Sequence, residues 1–238
     1  MEPIQETQAI RDIYTPSRDV LGATVWFTGL PCAGKTTASR LVASCLAGHG
    51  LRVELLDADD LRMTLSRGLG FSKEDRVENV RRIGFVCGSL ARHGVIVLVS
   101  CIAPYRAIRD EIREELGRFV EVYMNAPLDT CIRRDVKGMY HEALIGVRKH
   151  MTGIDGLYEP PVSPEVECYT DQEWIEESAA KVVAFLRENY SDLFHLPEVL
   201  AHTPVESKSA ESAPAPAPAP PPKKGIGTGT PRDPYRES

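Results

Sequence analysis

Residues Gly29 to Thr37 read G-L-P-C-A-G-K-T-T and match G-x-x-x-x-G-K-[ST] at every fixed position. Four fixed residues drawn at average usage match somewhere in about one chain in a hundred of this length. The flanks narrow the reading further. The apolar run Ala23-Thr24-Val25-Trp26-Phe27-Thr28 leads straight into the loop and reads as a buried strand. Behind it, Ala38, Leu41, Val42, Cys45 and Leu46 recur at i, i+3, i+4, i+7 and i+8, the stripe of an amphipathic helix. A strand, a glycine loop and a helix in that order are the context the pattern requires.

The loop predicts an anion cradle. Gly29 and Gly34 permit backbone conformations that a Cβ forbids. The amides of Gly29, Leu30, Pro31, Cys32, Ala33, Gly34, Lys35, Thr36 and Thr37 (the proline contributing no N–H) would then turn toward phosphates, helped by the positive end of the following helix. Lys35 would reach the β- and γ-phosphates of ATP, and the Thr36 hydroxyl would sit on Mg²⁺. The bland alternative is a glycine turn with a solvated lysine.

The chain has 238 residues, 28 basic and 34 acidic, with 42% apolar residues. That suffices for one domain with a good core plus extensions. A net charge of −6 argues against a general nucleic-acid binder but not against a local basic pocket for one anionic ligand. None of the six cysteines forms a C-x-x-C pair or sits at zinc spacing from a histidine. Most lie in apolar runs as small core residues, which fits a reduced, cytoplasmic setting. Cys32, inside the loop near a helix N-terminus, is the exception, where a thiol pKa falls; the bland reading is a small residue at a variable loop position. The first twenty residues are charged and lack the apolar segment of a signal peptide. The longest apolar stretch, Val95 to Ala103, is half of the ~20 residues needed to span a bilayer, so no membrane partner is expected.

Residues 1–20 read as a polar N-terminal arm, residues 21–192 as the folded domain, and residues 193–238 as an extended, disordered Pro/Ala-rich tail. Within the domain, strand signals at Arg52–Leu56, Val95–Val99 and Phe119–Met124 alternate with helical segments at Lys73–Arg92, Tyr105–Leu116 and Trp174–Arg187. Such alternation predicts an α/β fold of three layers, with a mainly parallel sheet and helices on both faces. Ligands of these sheets bind at the carboxyl ends of the strands, where the loop already sits. Residues 135–164 carry glycines, basic residues and Pro160-Pro161 with little apolar period, and read as a lid over the site.

The second strand ends in Asp57-Ala58-Asp59-Asp60. Alternation places Asp57 and Asp59 on one side if the chain stays extended. One carboxylate would orient Mg²⁺, and the other would take the proton of an attacking hydroxyl; the bland alternative is an acidic turn capping a helix that begins near Leu61. The third strand runs into Ser100-Cys101, so the acid usual at that point of a motor ATPase is missing, which favours a small-molecule kinase. Ser72 would cap the next helix, with Asp75 approximating a capping box. Arg76 and Asn79 share a helix face and, with Arg62, would form a second anion pocket, beside which Phe71 would stack on a flat ring. A charged helix surface explains those four residues equally well.

The loop, Asp57-Ala58-Asp59, Gly70-Phe71-Ser72, Arg76 with Asn79, Pro104-Tyr105-Arg106, Arg134-Asp135-Val136-Lys137-Gly138 and Thr152-Gly153-Ile154-Asp155 occur in the order and spacing of a known family. Together they resemble adenylylsulfate kinase over roughly residues 20–190. The resemblance implies transfer of the γ-phosphoryl of ATP to the 3′-hydroxyl of adenosine 5′-phosphosulfate, as in sulfate activation. It implies that Asp57 and Asp59 serve that hydroxyl and the metal, with Asp57 the favoured base and Thr36 and Asp57 beside Mg²⁺. It implies that Arg62, Arg76 and Asn79 hold the sulfonucleotide, Phe71 stacks on its adenine, Ile102 and Ala103 line the site, and Lys137 contacts substrate from the lid. Members are commonly dimers, and a separate ATP sulfurylase chain would supply the substrate.

The chain departs from the family pattern at Ala58 and Asp60, where Gly and Asn are common, and at Leu144, where Arg is common and Arg148 adds a charge nearby. Ala103 replaces a serine proposed as a phosphorylated intermediate, which leaves direct in-line transfer. The family's lid commonly offers a phenylalanine as the second slice of an adenine sandwich; here His150-Met151 precede Thr152, and Met151 can still pack on a ring through its sulfur, but the stacking weakens. Two other readings stay open at this stage: a kinase for another small hydroxyl substrate, and a nucleotide-binding regulator without turnover.

Overall fold

The computed structural model describes residues 21–194; the expected arm and most of the expected tail lie outside the described residues. Five parallel strands form one sheet in the order β2-β3-β1-β4-β5, namely β1 (Ala23–Thr28), β2 (Val53–Asp57), β3 (Ile96–Ser100), β4 (Phe119–Asn125) and β5 (Val166–Tyr169). Among the described residues seven α-helices connect and follow them: α1 (Lys35–Gly48), α2 (Ala58–Met63), α3 (Lys73–Ala91), α4 (Arg106–Leu116), α5 (Leu128–Arg134), α6 (Met139–Leu144) and α7 (Ile175–Asn189). A 3-10 helix (Ser191–Phe194) follows, and its Leu193 and Phe194 pack on the core, so the first two residues of the expected tail are ordered.

The strands read as continuous apolar runs because both sheet faces are covered. Successive side chains alternate between two cores. Val25, Phe27, Ile96, Leu98, Val120 and Val122 pack under Ala38, Val42 and Leu46 of α1 and Ala179, Val182 and Leu186 of α7. Trp26, Val97, Val99 and Phe119 face Val80, Ile83 and Cys87 of α3 and Ile108 and Ile112 of α4. This is the three-layer arrangement expected from the alternation.

Several local expectations change. The chain turns helical at Ala58, not near Leu61, because the Asp57 side chain accepts the Asp59 N–H at 2.9 Å and caps α2. Asp57 therefore ends a strand and Asp59 opens a helix, so extended alternation does not relate them. Ser72 caps α3 by accepting from the Asp75 N–H. Pro104 lies just ahead of α4, whose N-cap is Tyr105. Residues 135–164 are not irregular throughout: they hold α6 and a bridge between Thr152 and Gly156. Cys45 is exposed, while Cys87, Cys101, Cys131 and Cys168 are buried thiols. β5 and α5 carry no strong periodic signal and escape the sequence reading.

Candidate active site

The carboxyl ends of β1, β2 and β3 open into a cleft of about 870 Å³, within the range of small-molecule sites. On one side lies the glycine loop. Gly29 has φ +144°, and a Cβ there would meet the Met124 carbonyl oxygen at 2.6 Å, so no other residue fits without movement. Gly34 takes φ +98° and caps α1 with no side chain, and the first turn of α1 holds no acidic residue. The N–H groups at this helix start are therefore left for an external anion. Three side chains brace the loop from outside: the Tyr140 hydroxyl donates to the Pro31 carbonyl at 3.1 Å, Thr170 Oγ1 to Ala33 at 3.0 Å, and Arg134 to Cys32 at 3.4 Å.

Lys35 folds back on its own loop, donating to the Gly29 and Leu30 carbonyls at 3.1 and 2.7 Å. Burial lowers its ammonium pKa to about 8. Thr36 Oγ1 donates to Asp57 Oδ2 at 2.8 Å, which joins the loop to the end of β2. Beneath them Ser39 and Ser100 pair through their hydroxyls at 2.7 Å; Ser100 occupies the place of the missing third-strand acid.

The opposite side is built from four segments. Asp59 forms an ion pair with Lys137 from the segment after α5, although both side chains are largely exposed. Arg62 donates to the Gly70 carbonyl at 3.0 Å and lies over the Phe71 ring, 4.5 Å from its centroid. Arg76 donates to the carbonyls of Phe71 and His150, at 3.0 and 2.6 Å, tying α3 to the segment that precedes Met151. Asn79 is buried, and its Oδ1 has no hydrogen-bond partner. An orphaned acceptor on a cleft wall is a place for a ligand donor. Ile102, Ala103 and the buried Met151 complete the wall.

The cleft thus gathers Pro31, Cys32, Gly34, Lys35, Thr36 and Thr37 with Asp57, Asp59, Arg62, Phe71, Arg76, Asn79, Ile102, Ala103, Lys137 and Met151. Gly29, Leu30 and Ala33 are not on its wall; their carbonyls serve Lys35 and Thr170 instead. Sequence reasoning assigned no role to Trp174, which lines the cleft while 77% exposed, or to Thr170. A tryptophan at the start of the expected helix was the available signal for the first; Thr170 gave none, because it follows a strand that the periodicity does not show.

A doubly wound parallel sheet with a phosphate loop facing a carboxylate pair defines a P-loop kinase of small substrates. The profile of the family described as adenylylsulphate kinase matches residues 21–169, and the chain belongs to that family. An adenylyl-sulfate kinase of Picosynechococcus sp. is 58% identical over 167 residues, covering 70% of this chain and 94% of the relative. One from Microcystis aeruginosa is 59% identical over 161 residues, covering 68% and 89%. The solved Mycobacterium tuberculosis APS kinase in complex with AMPPNP and APS superposes with a TM-score of 0.68 at 41% identity, covering 71% of this chain and 99% of that one. A hexameric APS kinase from Thiobacillus denitrificans is also similar, with a TM-score of 0.56 at 32% identity, covering 82% of this chain and 34% of that one. Among the described residues, no helix is long and apolar enough to cross a membrane.

Proposed function

We propose that this chain phosphorylates the 3′-hydroxyl of adenosine 5′-phosphosulfate with ATP, giving 3′-phosphoadenosine 5′-phosphosulfate and ADP. The observation that carries the reading is the contact between Thr36 and Asp57, which sets the loop's phosphate end directly against the acid pair. Family membership supplies the substrate, because high-identity relatives carry that activity in their names.

The loop amides and the start of α1 would hold the β- and γ-phosphates, with Lys35 turning from its own carbonyls to the triphosphate. Thr36 and Asp57 are hard oxygen donors 2.8 Å apart, a fit for Mg²⁺. Among the described residues no three Asp, Glu, Cys or His side chains are placed to hold a metal ion together, so phosphate oxygens and water would complete its shell. That ion supplies neutralisation of the γ-phosphoryl charge. The acceptor oxygen attacks the γ-phosphorus in line as the bond to the bridging oxygen breaks. Its proton passes to the Asp57 carboxylate, whose oxygens keep free lone pairs after accepting from Thr36 and Asp59. Asp59 and Lys137 lie on the acceptor side, with Arg62, Arg76 and Asn79 for the phosphosulfate nucleotide and Phe71 and Met151 for its base. Catalysis here is mostly positioning and charge neutralisation. Residues 135–164 would act as the lid, and the N-terminal arm and Pro/Ala-rich tail remain proposals of the sequence.

Incubation with MgATP and adenosine 5′-phosphosulfate, with the product identified by mass, tests the reading. A product heavier by one phosphoryl group on the ribose supports it; ATP consumption with a different acceptor and none with this one overturns it. We also propose self-association, suggested by the hexameric relative and checked by sedimentation, a cytoplasmic location, and delivery of substrate by a separate sulfurylase chain, checked by co-purification.

A further inference from the structure

The wall formed by Ile102, Ala103 and Pro104 has an unusual support. Ala103 has φ +40°, a conformation that a residue with a Cβ holds only when its surroundings impose it. The buried Arg109 of α4 engages it with one of three guanidinium nitrogens, all of them bonded: Nη1 donates to the Ala103 carbonyl at 2.6 Å, Nη2 to the Glu159 carbonyl at 2.7 Å, and Nε to Glu121 Oε1 at 2.6 Å. Glu121 projects from β4 among apolar strand residues and is held in turn by Arg113. A rigid fork is thus aimed at two backbone carbonyls at once, one in the cleft wall and one where the 135–164 segment returns to the domain.

Other bonds fasten the same two pieces of chain. The Glu159 N–H donates to the Pro104 carbonyl at 2.8 Å, and the Arg106 N–H donates to Glu159 Oε2 at 2.7 Å. Thr28 Oγ1 donates to the Ile102 carbonyl at 2.6 Å and lies 3.1 Å from the Tyr158 hydroxyl. The wall and the root of the lid are therefore one rigid piece, with Arg109 at its centre.

We propose that Arg109 is a positioning residue that fixes the strained Ala103 wall and the Tyr158–Glu159 root of the lid as a unit, so that the acceptor nucleotide meets a preset surface. It touches no substrate and acts through two carbonyls. The inference rests on the acceptor side being the sulfonucleotide side, as proposed above.

The test measures binding of each ligand by calorimetry and KM for each substrate, in wild type, Arg109→Lys and Tyr158→Phe. Lysine keeps the charge beside Glu121 but cannot bridge both carbonyls. Arg109→Lys is expected to raise KM for adenosine 5′-phosphosulfate by ~10-fold or more while ATP affinity stays within about twofold. Tyr158→Phe, which only loses the contact with Thr28, is expected to shift the same ligand by about two- to threefold. A folded Arg109→Lys protein that binds both ligands like wild type overturns the proposal, as does equal weakening of both. Should Arg109→Lys fail to fold, an unchanged sulfonucleotide affinity in Tyr158→Phe overturns it. Wild type that does not bind the sulfonucleotide at all refutes the proposed function instead, a different result.

Discussion

The two sides of the cleft are made in different ways. The donor side is nine consecutive residues locked by backbone geometry: a glycine that admits no Cβ, a capless helix start, and three outside braces on loop carbonyls. The acceptor side is four separated segments whose side chains meet across up to 78 residues, as in the Lys137–Asp59 pair. Phe71 on that side remains 49% exposed. On the proposed function, the donor side would recognise what all nucleoside triphosphates share, and backbone suffices for that. The acceptor side would have to tell one hydroxyl nucleotide from others, which takes side chains and parts that can shift.

Changes on each side should therefore separate the two ligands, and four measurements press on that. Asp57→Asn stands at the junction and should lower turnover by ~10²-fold or more with ATP binding retained; near-normal turnover moves the base elsewhere. Arg76→Ala removes a charged donor from the acceptor side alone. It should weaken adenosine 5′-phosphosulfate by roughly 10- to 100-fold, the equivalent of losing about 1.5–3 kcal/mol, with little change for ATP. Equal losses for both ligands in calorimetry would erase the distinction between sides.

Acidity probes the donor side. Because burial lowers the Lys35 pKa to about 8, the ammonium is charged below that pH and neutral above it. The dissociation constant for ATP should be nearly flat below about pH 7 and climb by at most about tenfold per pH unit above about 8, with one proton taken up on binding. A flat profile through pH 9 contradicts that assignment. The smallest effect belongs to Lys137→Ala. Its pair with Asp59 is exposed and worth no more than about 1 kcal/mol in itself, so a change of about two- to fivefold in KM for the sulfonucleotide is expected. A loss as large as that of Arg76→Ala would mean that the lid lysine binds substrate far more directly.

The same contrast explains what the sequence disclosed. The strand, loop and helix at 23–48 are legible because each signal is local: an apolar run, fixed glycines, a helical stripe. The alternating cores of β1, β3 and β4 follow from the same periodicity. On the acceptor side, the shared face of Arg76 and Asn79 suggested a pocket no better than a charged helix surface, and the ordered set of motifs decided between them, since nothing in the spacing of Arg62, Arg76 and Lys137 says that they converge. At Asp57 the capping alternative is realised, three residues ahead of the expected start: the side chain caps α2 while it also meets the loop, so the condition that the chain stay extended is not met. β5 is four residues long, with Glu167 between its two buried positions, too short for a period to stand out. Glu121, in the middle of β4, pairs with the buried Arg109 of α4, a contact that only the fold brings together.

The chain has two tryptophans. Trp26 is sealed in the sheet against Phe119, and Trp174 stands on the rim of the cleft. One indole is thus shielded from solvent and the other stands where an arriving nucleotide would meet it, so a fluorescence titration is expected to read the second against the first. Such a readout would follow occupancy of the cleft without a dye or a coupled assay.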